Sequence, residues 1–215
     1  MRLIVATRND HKLSELGQIL EGIELVPLPP ELELPPEDGK TFQANALIKV
    51  RATLKACGEA AIADDSGIAA RALGGRPGVR SRRFAGEDAT DEANLNLLIS
   101  QLRDSDDRGV AYVCALAHIG ADGTETVVEA RCEGTLILEP RGTRGFGYDP
   151  AFVPEDTGAG DERTMAELTD AEKHAISHRG RAARELAQVL GLTRVVAKTR
   201  AIRGNQQPPP RGSAS

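Results

Sequence analysis

The sequence predicts an α/β protein built on a mixed sheet, and three observations carry that prediction. Short apolar runs alternate with amphipathic helical stretches in the N-terminal third. Residues 109–119 and 125–134 are strand-like runs joined by the turn signal Ala121-Asp122-Gly123. The apolar run Ala60 to Ala63 opens directly onto Asp64-Asp65-Ser66-Gly67. Alternation of strand and helix favours parallel pairing and a hairpin favours antiparallel pairing, so one sheet holding both is mixed.

Taken in order, Leu3 to Ala6 is a short buried strand, followed by Thr7-Arg8-Asn9-Asp10 and a helix with Leu13, Leu16, Ile19 and Leu20 on one face. Asn9 or Asp10 suits its N-cap, because a short polar side chain can accept from the free amides of the first turn. Glu24 to Leu28 is a second strand, and the proline-rich stretch Pro27 to Pro36 is a loop. Thr41 begins a helix through Ala46, Leu47, Val50 and Leu54 to about Cys57, with Gly58 as its stop. The strand at Ala60 to Ala63 ends in the paired aspartates; residues 73–88, rich in Gly and Arg, are a loop. A helix from about Thr90 to Arg103 precedes the hairpin, and Gly134 to Leu138 adds a further strand. The glycine-rich loop Gly142 to Gly147 leads into Tyr148-Asp149-Pro150, and a last helix from about Ser177 to Leu190 turns Ala182, Leu186, Val189 and Leu190 inward.

At 215 residues the chain can bury one sizeable core. Its 27 Lys+Arg against 32 Asp+Glu give a net charge of -5, which argues against a general nucleic-acid surface. Aromatics at 3%, without Trp, argue against a base-stacking platform for single strands. Cys57, Cys114 and Cys132 are widely spaced with no CxxC pair, as expected of reduced thiols in a cytoplasmic protein rather than of a disulfide framework or zinc knuckle. The N-terminus enters a strand at once, leaving no room for a signal peptide, and no apolar run is long enough for a membrane span. Residues 1–191 are read as one folded domain. Residues 192–215 hold basic side chains, no acids and a Gln-Gln-Pro-Pro-Pro run, and are expected to be a tail disordered from about 199.

Four constellations carry chemistry. Thr7-Arg8-Asn9-Asp10-His11-Lys12 lies at a strand-to-helix junction, where free amides and the helix dipole favour an anion. Asp64 and Asp65 cannot both be charged at a buried strand end without a compensating cation or proton, which suggests a metal with phosphate as its companion. In Gly145-Phe146-Gly147-Tyr148-Asp149-Pro150, glycines allow close backbone approach, an aromatic ring can stack on a base, and Asp149 can accept from a ring N–H. Lys173, His178 and Arg179 fall in one short span, suited to a base carbonyl or a phosphate. His174 and His178 lack the third ligand and the glutamate of a zinc site, and no P-loop, Rossmann fingerprint or G-x-S-x-G elbow is present. Glu37, an isolated loop acid, reads as surface on its own.

In order along the chain stand Ala6-Thr7-Arg8-Asn9 with Lys12, Thr41-Phe42 then Asn45-Ala46 with Lys49, and Ala63-Asp64-Asp65-Ser66-Gly67. After them come Leu73-Gly74-Gly75-Arg76-Pro77-Gly78, Ser81 with Arg83, Gly145 to Pro150, Glu172-Lys173 and Ser177-His178-Arg179-Gly180. This ordered set resembles the noncanonical purine nucleoside triphosphate pyrophosphatases, the inosine/xanthosine triphosphate pyrophosphatase family. The resemblance implies an elongated mixed sheet flanked by helices, two lobes around a substrate cleft, and a homodimer. It implies hydrolysis of ITP, dITP and XTP to the monophosphate and pyrophosphate with Mg2+. By position, Thr7, Arg8, Asn9, Asp10, His11, Lys12 and Lys49 correspond to phosphate binders. Glu37 and Asp65 correspond to metal ligands, with Asp65 also the general base, and Ser66 to a substrate contact. Phe146, Gly147, Tyr148, Asp149, Lys173, His178 and Arg179 correspond to the base-reading set. Which of Asp64 and Asp65 holds metal and which polarises water stays open at this level. One departure is Ala44, where the family often carries an acid; it motivates the alternative of a nucleotide-sensing protein with weak or lost catalysis.

Overall fold

The structure, a computed structural model, describes residues 1–158 and 160–192. The stretch expected to be disordered from 199 lies outside the described residues.

Six strands form one sheet: β1 (Arg2–Val5), β2 (Glu24–Pro27), β3 (Ala61–Ala70), β4 (Gly109–Ile119), β5 (Glu125–Leu136) and β6 (Phe152–Pro154), in the spatial order β2-β1-β3-β4-β5-β6. β1 runs parallel to β2 and β3, whereas β3-β4, β4-β5 and β5-β6 are antiparallel, so the sheet is mixed as the sequence predicts. The helices are α1 (Asp10–Ile19), α2 (Phe42–Cys57), α3 (Asp91–Leu102), α4 (Asp170–Ile176) and α5 (His178–Val189). Each begins where a short polar side chain meets a free amide. Asn9 caps α1, Thr41 caps α2, Thr90 caps α3, and Ser177 caps α5. Gly58 stops α2 at a φ of 68°, a left-handed conformation that glycine adopts without a Cβ penalty.

Four expectations are corrected. The strand beginning at Ala61 does not end at the aspartates but runs through them to Ala70, paired along its whole length with β4. Gly134 to Leu138 is not a separate strand: β5 continues to Leu136, and the sixth strand is Phe152–Pro154. The loop over 73–88 contains a 3₁₀ turn at Gly78–Arg83. Val189 is 59% exposed rather than inward, because α5 presents Ala182, Ala183, Leu186 and Ala187 to the sheet.

The pleat sorts the core. Leu3, Val5, Ile62, Cys114 and Leu116 pack with Leu16 of α1, with Leu20 just after that helix, and with Ala182 and Leu186 of α5. Their neighbours Ile4, Ala61, Ala63 and Ala117 pack on the other face with Ala46 and Val50 of α2. A third cluster fills the far end of the sheet, where Ile68, Tyr112 and Phe152 meet Leu95, Leu98 and Leu102 of α3. The alanines facing α2 are completely buried. Small side chains there bring the helix close to β3, so polar groups on α2 reach the strand. Asp64 and Asp65 lie between the two ends of this core. Among the described residues, no helix is long and apolar enough to cross a membrane.

Candidate active site

Successive strand residues point to opposite faces, and β3 turns this into a division of charge. Asp64 and Ser66 face α1 and α5; Asp65 faces α2.

On the first face, the Asp64 carboxylate is buried with the Arg179 Nη2 at 2.9 Å and the Lys12 Nζ at 3.2 Å, and it accepts from Ser66 Oγ at 3.1 Å. Burial alone would raise its pKa, but Lys12, Arg179 and Lys49 outweigh burial and hold the carboxyl well below the usual range. Arg179 also bonds Ser66 Oγ at 2.9 Å and Glu15. Glu15 then bridges to Lys173 Nζ at 2.8 Å, and Lys173 bonds Asp149 Oδ2 at 2.7 Å. One buried ion network therefore joins Lys12, Asp64, Arg179, Glu15, Lys173 and Asp149. Glu15 has no counterpart among the residues singled out from the sequence. Its signal was its position three residues after Lys12, on the same face of α1.

Asp149 is occupied by the protein itself. Besides Lys173 it accepts from Tyr112 Oη at 2.9 Å and from the Phe146 amide at 3.0 Å, filling most of the lone pairs envisaged for a base N–H. Gly145 makes that turn possible: its φ is 72°, and a Cβ there would lie 2.0 Å from Asp149 Oδ2. The Phe146 ring stacks on His11 at 5.1 Å, with Lys173 Nζ 5.1 Å and the Arg179 guanidinium 5.9 Å from its centroid. Gly147 donates its amide to Asp91, and Tyr148 Oη donates to the Ser81 carbonyl at 2.7 Å, tying the loop to the 3₁₀ turn. His178 is buried and stacks on Tyr112 at 4.6 Å, and its Nδ1 has no hydrogen-bond partner. Burial, then the nearby Arg179 and Lys173, push its pKa well below the imidazole norm, so the ring is neutral.

On the opposite face, Asp65 accepts from Asn45 Nδ2 at 2.9 Å and from the Ser66 amide at 3.1 Å. Lys49 Nζ, one helical turn beyond Asn45, reaches Glu37 Oε1 at 2.7 Å and the Asp64 carbonyl at 2.5 Å. Burial chiefly, and the charge of Glu37, raise the Asp65 pKa despite Lys49 and Asn45. Glu37 is partly buried, yet Lys49 brings its pKa below the usual value. Two adjacent aspartates thus have pKa values displaced in opposite directions, the arrangement that separates a fixed anion from a proton acceptor.

The Thr7–Lys12 junction divides its tasks. Thr7 Oγ1 accepts from the Asn9 amide and Asn9 caps α1. Asp10 and His11 are exposed in the first turn. The Arg8 guanidinium is spent on the carbonyls of Leu28, Pro29, Pro30 and Leu32, so it pins the proline-rich loop. Among the described residues no three His, Cys, Asp or Glu side chains cluster as a closed metal cage. Glu37 and Asp65 are hard oxygen donors of the kind Mg2+ takes, since that ion keeps several waters and binds through one or two carboxylates; Lys49 holds the Glu37 carboxylate here. A groove of 530 Å³ between the Leu32–Pro36 segment and α2 touches none of the ion network.

Comparisons with known proteins cover most of the chain. A family model described as Ham1 family matches residues 3–189. The chain is 49% identical over 199 residues to the dITP/XTP pyrophosphatase of Mycobacteroides abscessus, covering 88% of this chain and 95% of that one. It is 50% identical over 201 residues to the dITP/XTP pyrophosphatase of Frankia alni, covering 88% and 97%. Among solved structures, the Coxiella burnetii HAM1 protein superposes with a TM-score of 0.79 at 37% identity, covering 90% of this chain and all of that one. The Staphylococcus aureus Ham1 protein gives 0.78 at 34% identity with the same coverage.

Proposed function

The chain belongs to the Ham1 family, and from that premise we propose that it hydrolyses noncanonical purine nucleoside triphosphates, dITP and XTP among them, to the monophosphate and pyrophosphate. The observation that carries the reading is the placement of the two acids on opposite faces of β3, Asp64 against Arg179 and Lys12, and Asp65 against Asn45 beside the Glu37–Lys49 pair. Asp64, held ionised by Arg179 and Lys12, is too weak a base to take a proton from water. Asp65, held by neutral donors from Asn45 and the Ser66 amide, is the general base. It accepts a proton from water as the water oxygen bonds to the α-phosphorus. The bond from that phosphorus to the bridging oxygen breaks, and pyrophosphate leaves.

Glu37 and Asp65 are the residues that would hold Mg2+, which when bound neutralises triphosphate charge and polarises its P–O bonds. Lys12, Lys49 and the amides following Thr7 supply further positive potential for the phosphates; Asn9, Asp10 and His11 complete that junction, and Ser66 lies beside it. Arg8 serves by shaping the neighbouring loop. Phe146 is the stacking surface for the base, with Gly147, Tyr148 and Asp149 holding it in place. His178, Arg179 and Lys173 read the 6-oxo group. Donors aimed at a carbonyl are left unpaired by the amino group of adenine, at a cost of about 1–3 kcal/mol each. The family resemblance is what supports a homodimer working in the cytoplasm.

The test is pyrophosphate release from dITP, XTP, dATP and dGTP, with Mg2+ and with EDTA. We expect fast, Mg2+-dependent release from dITP and XTP. Equal turnover of dITP and dATP sinks the reading, and tight triphosphate binding without release converts the protein into a nucleotide sensor.

A further inference from the structure

We propose that Asn45 is a positioning residue that sets the spacing of Glu37 and Asp65; this rests on the metal role assigned to that pair above. Asn45 is fully buried in the first turn of α2. Its Nδ2 donates to Asp65 Oδ2 at 2.9 Å, and its Oδ1 accepts from the Gly39 amide at 2.8 Å. The two partners leave the amide one orientation, because a backbone N–H can only donate and a carboxylate only accepts.

Gly39 closes the loop Glu37-Asp38-Gly39, so a single side chain clamps the segment bearing one carboxylate to the strand bearing the other. The approach leaves no slack: a Cβ on Gly39 would lie 2.5 Å from Asn45 Oδ1 and 2.9 Å from the Ala44 Cβ. From the far side, Arg83 Nη2 donates to the Glu37 carbonyl at 3.3 Å. Lys49, four residues along the same face of α2, bonds the Glu37 carboxylate. Few side chains can substitute for Asn here. Asp has no donor for Asp65, Leu has neither group, and Gln is one methylene too long for the same two partners.

The test is a Mn2+ titration followed by electron paramagnetic resonance on the full chain, beside steady-state kinetics with dITP and dITP binding in EDTA. Asn45→Leu keeps the branched four-atom skeleton of the side chain and removes both bonds. Gly39→Ala leaves the Asp65 bond intact and displaces the loop. Both are expected to weaken Mn2+ binding and lower kcat by about 10–100-fold, the usual effect of removing a group that orients a metal-binding carboxylate. Metal-free dITP affinity stays within threefold, which a general collapse of the cleft would not allow. Wild-type Mn2+ affinity in folded Asn45→Leu overturns the proposal, and if that variant does not fold, wild-type affinity in Gly39→Ala does so. Glu37→Gln and Asp65→Asn are titrated alongside. If they too bind Mn2+ as the wild type does, the metal assignment itself has failed and takes the proposal with it.

Discussion

Replacing either of two adjacent aspartates by asparagine changes one atom, yet the two variants should have opposite phenotypes. In Asp64→Asn the Arg179 guanidinium, 2% exposed, loses its carboxylate, which is itself completely buried. Removing one partner of a buried pair costs about 3–5 kcal/mol. The low end applies, since Asn keeps one acceptor and Glu15 still faces Arg179. About 3 kcal/mol corresponds to a Tm lowered by roughly 6–12 °C for a chain of this size. Asp65→Asn removes a carboxylate that burial already disfavours, so the metal-free Tm should stay level or rise while kcat falls about 10²–10⁴-fold.

The pH dependence separates them further. The folded pKa of Asp64 is depressed, so its contribution is complete above the unfolded value of about 3.9 and is lost as pH falls towards the folded one. Asp64→Asn should therefore show a flatter acid limb in Tm against pH. Asp65 has the opposite sign. Its contribution is complete below about pH 3.9 and is lost as pH rises through the raised folded pKa, so Asp65→Asn gains relative to wild type towards neutrality. Differential scanning calorimetry in EDTA, with pyrophosphate release on the same samples, reads both effects. An unchanged Tm in Asp64→Asn, or an equal loss of stability in both variants, refutes the division of roles.

Three other substitutions probe the rest of the site. Arg8→Ala frees the carbonyls of Leu28 to Leu32; limited proteolysis should cut within residues 28–36 faster than in wild type, and equal cutting rates would remove the pinning role. His178→Phe keeps the stack on Tyr112 but deletes both ring nitrogens; the dITP over dATP preference in kcat/KM should fall about tenfold, equivalent to about 1.4 kcal/mol, with Tm within a few degrees. An unaltered preference means another group reads the base. Gly145→Ala places a methyl against Asp149 at a left-handed φ; activity on dITP should drop more than tenfold, and a fully active variant would show that the loop yields without consequence.

Local chemistry made much of the fold legible: Thr41 and Gly58 bracket α2, Asn9 caps α1, and Ala121-Asp122-Gly123 marks the β4–β5 hairpin. The misreadings share a cause in distant partners. Asp64, Asp65 and Gly67 have low strand propensity. They belong to β3 because β4 pairs with them residue by residue, and because Arg179, 115 positions away, meets the buried charge. Glu15 looks like solvent-facing helix until α4 and α5 bring Lys173 and Arg179 against it. Glu37 gained meaning first from the ordered motif set and then from Lys49. β6 has only three residues and is defined solely by its pairing with Gly134 to Leu136.

The pleat of β3 also limits how this chain can change over evolutionary time. A side-chain period of two means that one inserted or deleted residue between Ala61 and Asp64 would swing Asp64 towards Asn45 and Asp65 towards Arg179, leaving each acid with the other's partners. Insertions of two residues would restore the faces but break the pairing register with β4. Length variation among relatives should therefore collect in the proline-rich segment before α2 and in the β4–β5 turn, while the spacing from Ala61 to Gly67 stays constant.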